Sequence, residues 1–114
     1  METQPNITIR SNPRRHRYDL LDGETVIGRA HWVPYDSPGG EQRIFFHTVV
    51  DDDYSGQGLA SRLARFALDD TIEAGVPIVP VCPYIASWLQ KHPDYQAHAV
   101  PVLPEHLAAV PGTR

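Results

Sequence analysis

The chain has 114 residues, one cysteine and a formal net charge of −4. This length suits one domain with a single core, and the lone Cys82 cannot form an intramolecular disulfide. The negative charge disfavours nonspecific nucleic-acid binding, which depends on Lys and Arg. No apolar run reaches the roughly 18 residues of a membrane helix, and the N-terminus lacks a signal-peptide layout, so we expect a cytoplasmic protein without membrane or nucleic-acid partners.

The first half of the chain has the pattern of an antiparallel meander. The Asp22-Gly23 pair separates two extended runs, as in a β-hairpin, and a second turn follows at residues 36–40. The extended runs are rich in β-branched and aromatic residues and cover 7–9, 18–21, 25–33 and 43–50. We expect three or four antiparallel strands.

Beyond residue 58 the apolar period changes from near two to near 3.6. Leu59, Leu63, Phe66 and Ala67 fall on one face, which predicts an amphipathic helix that ends at Gly75. The apolar run 76–81 then predicts a strand parallel to its predecessor, because a helical crossover joins them. Its prolines favour a strand end or a strand that diverges from its neighbour.

A second helix is predicted to begin at Pro83, where proline suits the first turn, and to end near Lys91 before Pro93. The pattern weakens after Tyr95, although residues 104–110 can form one or two helical turns. We therefore expect a domain at residues 1–95 and a C-terminal tail at residues 96–114, to which the sequence assigns no role.

A glycine loop, Tyr54-Ser55-Gly56-Gln57-Gly58-Leu59-Ala60, joins the predicted strand to the first helix. Small residues let backbone N–H groups approach an anion closely, and a helix N-terminus favours negative charge. The chain has no Gly-Lys pair, which a P-loop requires, and Ser61 occupies the last glycine position of a dinucleotide fingerprint. The junction alone fits a tight turn as well as a phosphate cradle.

Four segments together resemble a small branch of the GCN5-related N-acetyltransferases. That branch carries a His-Thr-Glu-Val strand, a Gly-x-Gly loop, a Cys-Pro-Tyr segment and a His-Pro-Glu-Tyr segment. The corresponding segments here are His47-Thr48-Val49-Val50, Gly56-Gln57-Gly58, Cys82-Pro83-Tyr84 and His92-Pro93-Asp94-Tyr95. The resemblance spans residues 7–95. It implies a compact α/β (α+β) fold with a mixed, mostly antiparallel sheet, two main helices and a splayed strand pair.

The resemblance also implies acetyl-CoA as the acyl-donor substrate and a primary amine as the acceptor, on a small molecule or on a protein. The pyrophosphate would lie on the glycine loop, and the pantetheine arm would lie between the strands at 43–50 and 76–81. The implied CoA-binding residues are Val49, Val50, Ser55, Gly56, Gln57, Gly58, Leu59, Ala60, Ser61, Cys82, Pro83 and Tyr84.

Two positions depart from the family pattern. Ser55 replaces an Arg or Gln of the loop, and Val49 replaces the glutamate that can act as a general base. His47, Cys82, Tyr84 and His92 remain as catalytic candidates, and His92 is alternatively the cap of a helix end. His47 is a base or a core residue, Cys82 is a reactive thiol or packs against pantetheine, and Tyr84 is the acid for the leaving thiolate or an aromatic wall.

Three functions follow from these residues: an acetyltransferase, a CoA-binding or sensing module without turnover, and an interaction domain that keeps only the fold. No metal site is expected, because His92 and His98 lack metal-ligand spacing and the single cysteine has no partner set. The acidic run at 51–53 is a solvated turn or attracts a cationic amine, and the basic cluster at 14–17 is a solvated turn or touches an anion.

Overall fold

A computed structural model describes residues 6–112. Within them the chain forms five strands, four α-helices and two short 3-10 turns. The strands are β1 Ile7–Asn12, β2 Arg17–Asp22, β3 Thr25–Ser37, β4 Gly40–Val50 and β5 Ile78–Pro80. The helices are α1 Leu59–Glu73, α2 Pro83–Gln90, α3 Pro93–Gln96 and α4 Pro104–Ala109.

The strands form one sheet in chain order. Strands β1 to β4 make an antiparallel meander, and β5 joins the edge of β4 in parallel after the α1 crossover. This arrangement confirms the α+β fold with a mixed, mostly antiparallel sheet and two main helices. Strand β5 is shorter than the predicted run 76–81, because the Val81 N–H donates to the Val79 carbonyl at 3.1 Å and so leaves the ladder with β4.

Both main helices pack on the same face of the sheet. The buried residues of α1 recur at three- and four-residue spacing, and they meet sheet residues such as Tyr18, Leu20 and Phe45 in one hydrophobic cluster. The prediction that Phe66 shares the buried face of this helix is wrong: its side chain is 39% exposed. Ala64 and Leu68 complete the buried stripe, and Phe66 lies at its edge, 6.1 Å from the Tyr18 ring.

The segment after Tyr95 also contacts the sheet. The Ile78 N–H donates to the His98 carbonyl at 3.0 Å, and the Val100 N–H donates to the Ile78 carbonyl at 2.9 Å. In α4, the buried His106 lies 2.8 Å from Gln42 through Nε2 and Oε1. The backbone bonds therefore extend the free edge of β5, and α4 covers one end of the sheet face that the main helices leave free.

A polar cluster between the sheet and α1 links three elements of the fold. The Arg43 guanidinium on β4 donates to the Tyr18 hydroxyl at 2.7 Å and to Thr71 Oγ1 at 3.2 Å. The Tyr18 hydroxyl in turn donates to Asp70 at 2.6 Å. Burial, assisted by the bond to Asp70, raises the pKa of Tyr18 to about 12. Arg43 also lies 4.0 Å above the Trp32 ring, which adds a cation–π contact.

We expect Arg43→Ala to lower the free energy of unfolding by about 2–3 kcal/mol, because it removes charged hydrogen bonds from a largely buried site. Arg14→Ala is the matched control, since Arg14 is exposed and should change stability by less than about 0.5 kcal/mol. Urea denaturation measures both values. Equal losses in the two variants would contradict the role assigned to Arg43.

Candidate functional site

Strands β4 and β5 separate soon after they pair. They pair in register at three positions, from Arg43 with Ile78 to Phe45 with Pro80. The last contact is the Cys82 N–H, which donates to the Phe45 carbonyl at 2.8 Å. Beyond it, the edge of residues 46–50 that faces away from β3 has no strand partner within residues 6–112. This is the splayed strand pair that the family resemblance implies.

A β-bulge in β4 sets which side chains face the gap. His31 pairs with His47 and Trp32 pairs with Phe45, so Phe46 is an extra residue in β4. The extra residue shifts the alternation by one position. Side chains 48 and 50 consequently face the helices together with Phe45, while side chains 47 and 49 face the opposite side of the sheet. The alternative that His47 is a core residue is therefore wrong, because its side chain is exposed.

The glycine loop lies between the end of β4 and the start of α1. Gly56 and Gly58 have φ values of +80° and +73°, and no atom lies within 4 Å of the position where a Cβ would stand. Gly58 is the N-cap of α1 and no side chain caps this end of the helix. The N–H groups of the first turn therefore have neither an intrahelical partner nor a side-chain cap, as an anion-binding helix N-terminus requires. The Leu59 side chain is buried in the core, so only its backbone is available to a ligand.

The narrow end of the gap is formed by Cys82 and Thr48. Cys82 is 3% exposed and occupies the N-cap position of α2. Its sulfur lies 3.5 Å from Thr48 Oγ1, so the two side chains bridge the diverging strands. The thiol is therefore held against the gap and not in solvent.

Ser61, on the first turn of α1, and Trp88, in the second turn of α2, join the two main helices. The Trp88 indole N–H donates to Ser61 Oγ at 2.8 Å. Tyr84, on the first turn of α2, is 37% exposed. Burial raises the pKa of its phenol above 10.0, and hydrogen bonding with Ser61 acts in the opposite direction. At neutral pH the Tyr84 hydroxyl is thus protonated and can donate a proton.

The other residues that the sequence suggested make none of the contacts described above between Cys82 and Thr48 or around Ser61. Ser55 and Pro83 are exposed. His92 stacks on Trp88 with ring centroids 3.6 Å apart, and its Nδ1 lies 2.7 Å from the Trp88 carbonyl, so it holds the end of α2. The acidic run 51–53 forms an exposed 3-10 turn. The role of Thr48 was not predictable from the sequence, because its contact with Cys82 depends on the bulge in β4.

Residues 6–112 contain neither a cluster of metal-ligating side chains nor a helix that could span a membrane. No group of three His, Cys, Asp or Glu side chains in this part of the chain is arranged to hold a metal ion. The longest helix there has 15 residues, and none combines the length and apolarity of a membrane span.

Comparison with protein families gives one match over most of the chain. The family model of the GCN5-related N-acetyl-transferases matches residues 17–98. Among curated proteins, NATD1 of Gallus gallus is 37% identical over 57 residues, which are 48% of this chain and 52% of that protein. NATD1 of Homo sapiens is 38% identical over 47 residues, 41% of this chain and 42% of that protein. The chain thus spans about half the length of the curated relatives it matches.

Solved structures show the same fold. A GCN5-like protein of Staphylococcus aureus, determined by NMR, superposes with a TM-score of 0.63 at 19% identity and covers 89% of this chain and 95% of its own. A ribosomal-protein-alanine N-acetyltransferase of Brucella melitensis superposes with a TM-score of 0.53 at 18% identity, covering 74% of this chain and 60% of its own. At these identities the likeness concerns the fold alone.

Proposed function

The chain belongs to the GCN5-related N-acetyltransferase family, and from that premise we propose that it transfers an acetyl group from acetyl-CoA to a primary amine. The observation that carries the proposal is that the open edge of β4 and the uncapped N-terminus of α1 lie at the same end of the sheet. Only residues 51–58 separate the end of β4 from the start of α1. One elongated ligand can therefore contact both.

The glycine loop supplies the pyrophosphate site in this proposal. Backbone N–H groups of residues 57–60 bind the phosphate oxygens, and the positive end of the α1 dipole favours their charge. Ser61 contributes from its backbone, while its hydroxyl accepts the indole N–H of Trp88. Because Ser55 supplies no cationic side chain, backbone groups carry most of the recognition at this loop.

The pantetheine arm occupies the gap between the strands. An extended chain with amide groups can pair with the free backbone edge of residues 46–50 in the way that an added strand does. Val49 and Val50 then contact the arm mainly through their backbone. This alignment brings the thioester to the narrow end of the gap, next to Cys82 and Thr48.

The transfer step needs a neutral amine, a carbonyl carbon and a proton for the leaving group. The amine nitrogen attacks the thioester carbonyl, the C–N bond forms, and the C–S bond breaks to release the CoA thiolate. Tyr84, protonated at neutral pH, donates the proton that the thiolate takes up. Val49 has no proton-accepting group, so the base must come from elsewhere, and His47 is the nearest imidazole along β4.

A CoA-binding module without turnover is the second candidate. The observation that favours it is Val49, an aliphatic residue that is 38% exposed at the position where the family carries glutamate. Such a module would bind CoA through the same loop and gap. Unlike an enzyme, it would not release the free thiol of CoA from acetyl-CoA, whichever amine is offered.

Gly58→Ala should weaken CoA binding by about tenfold, because a Cβ at this position occupies the space through which the phosphates approach the amides. Gly75→Ala is the matched control: Gly75 has a φ of +76°, similarly open surroundings, and lies at the other end of α1. Both variants should lose about 1 kcal/mol of stability to left-handed strain. Isothermal titration calorimetry measures CoA affinity, and an equal loss in both variants contradicts the loop assignment.

Tyr84→Phe should lower kcat by about 10- to 100-fold and leave the KM for acetyl-CoA nearly unchanged, since a general acid acts in the transition state. The measurement is amine-dependent release of free thiol over a panel of primary amines. Tyr35→Phe serves as control, because Tyr35 packs against His106 at the opposite end of the sheet. Full activity in Tyr84→Phe would remove the phenol from the mechanism, and no thiol release with any amine would favour the binding module.

A further inference from the structure

The sheet face opposite the main helices carries two short rows of mostly basic side chains beside the gap, which together we call the cationic array. Residues directly opposite each other on antiparallel strands share a face. The register of β2, β3 and β4 therefore forms two cross-strand rows on this face. The first row is Arg17, His31 and His47, and the second row is Asp19, Arg29 and Val49.

The single carboxylate of these two rows is already engaged. Asp19 is 1% exposed, accepts from Arg17 Nε at 2.7 Å and accepts from Asn12 Nδ2 at 3.1 Å. Arg29 forms no ion pair within residues 6–112, and the exposed Arg10, opposite Asp19 on β1, forms none there either. The rows consequently leave Arg29 available to an external anion.

The electrostatic surroundings of His31 agree with an excess of positive charge. Its pKa is lowered from 6.5, first by burial and then by repulsion from His47, Arg17 and Arg29. His31 stacks with His47 at a centroid distance of 5.7 Å. The exposed Asp51, which follows the end of β4, forms no ion pair within residues 6–112 that would neutralise Arg29.

The cationic array lies next to the gap between β4 and β5. The C-terminal segment covers the far end of this face, near Tyr35 and Gln42, and leaves the end with the array uncovered. His47 and Val49 belong to the strand that borders the gap, and Arg29 stands opposite Val49, roughly 5 Å away across the strand spacing. A molecule that reaches the thioester from this side therefore passes these three residues.

We propose that this face binds the acetyl acceptor, and that the acceptor is a small molecule that carries a carboxylate close to its primary amine. Arg29 holds the carboxylate, a pairing that the planar guanidinium favours because it can donate two parallel hydrogen bonds. His47 takes the ammonium proton. This inference rests on the proposed transferase function and names the class of its acceptor.

The step is balanced in atoms and charge. The neutral His47 imidazole accepts one proton from the ammonium group, and the freed nitrogen lone pair attacks the thioester carbonyl. The C–S bond breaks, the thiolate takes up a proton from Tyr84, and the Tyr84 phenolate recovers a proton from the acylated nitrogen, which leaves a neutral amide. The product is an N-acetylated amine that keeps its carboxylate. Arg29, whose charge no carboxylate of these rows balances, also disfavours amines with several positive charges.

A pair of isosteric amines tests the proposal by kinetics. β-Alanine and propylamine differ mainly in a carboxylate replacing a methyl group, and we expect kcat/KM to be at least about tenfold higher for β-alanine. Arg29→Gln should abolish this preference by lowering kcat/KM for β-alanine, and Arg14→Gln, an exposed control of equal charge, should retain it. A preference for propylamine or spermidine, or a preference that survives Arg29→Gln, overturns the proposal.

An equilibrium measurement keeps the acceptor site testable without turnover. N-acetyl-β-alanine, added to isotope-labelled protein with and without CoA, should shift the amide signals of Arg29, His31 and His47. N-propylacetamide, which lacks the carboxylate, should not shift them, and Arg29→Gln should remove the effect. The absence of these shifts overturns the acceptor site, whereas failure to bind CoA or to release thiol while they persist overturns only the transferase function.

Discussion

The divergence of β4 and β5 is the constraint on which the rest of the site depends. The Val81 N–H turns back to the Val79 carbonyl at 3.1 Å, and the Cys82 N–H takes the last bond to Phe45 before Pro83 begins α2. Strand β4 continues for five residues beyond this point with one edge free of a strand partner among residues 6–112. Backbone hydrogen-bonding groups are costly to leave unpaired, so this edge is suited to a ligand with amide groups.

Side-chain bonds hold the two main helices against the sheet and against each other. The contacts of Arg43 with Tyr18 and Thr71 fix the C-terminal half of α1 to the sheet, while Trp88 and Ser61 fix its first turn to α2. The glycine loop is therefore presented by a helix that is anchored at both ends. The phosphate site that we propose at this loop needs little reorganisation on binding, since the first turn of α1 carries no side-chain cap to displace.

The parts of the fold that were predictable from sequence are those set by local chemistry. The Asp22-Gly23 turn, the helical period after Gly58 and the prolines around Cys82 indicate the meander, the crossover helix and the splayed strand without tertiary information. The bulge at Phe46 was not predictable, because it depends on how β3 and β4 pair in register. For the same reason the exposed face of His47, its neighbour His31 and the contact of Thr48 with Cys82 were not visible in the sequence.

Amide hydrogen exchange with and without CoA tests the central claim most directly, because the claim concerns backbone donors at two separate places. The account predicts slower exchange on CoA binding within residues 46–50 and 57–61, and unchanged exchange near Gly75 and in α4. Protection confined to other parts of the chain, or protection at the loop without any at the β4 edge, would contradict the placement of the donor between the diverging strands.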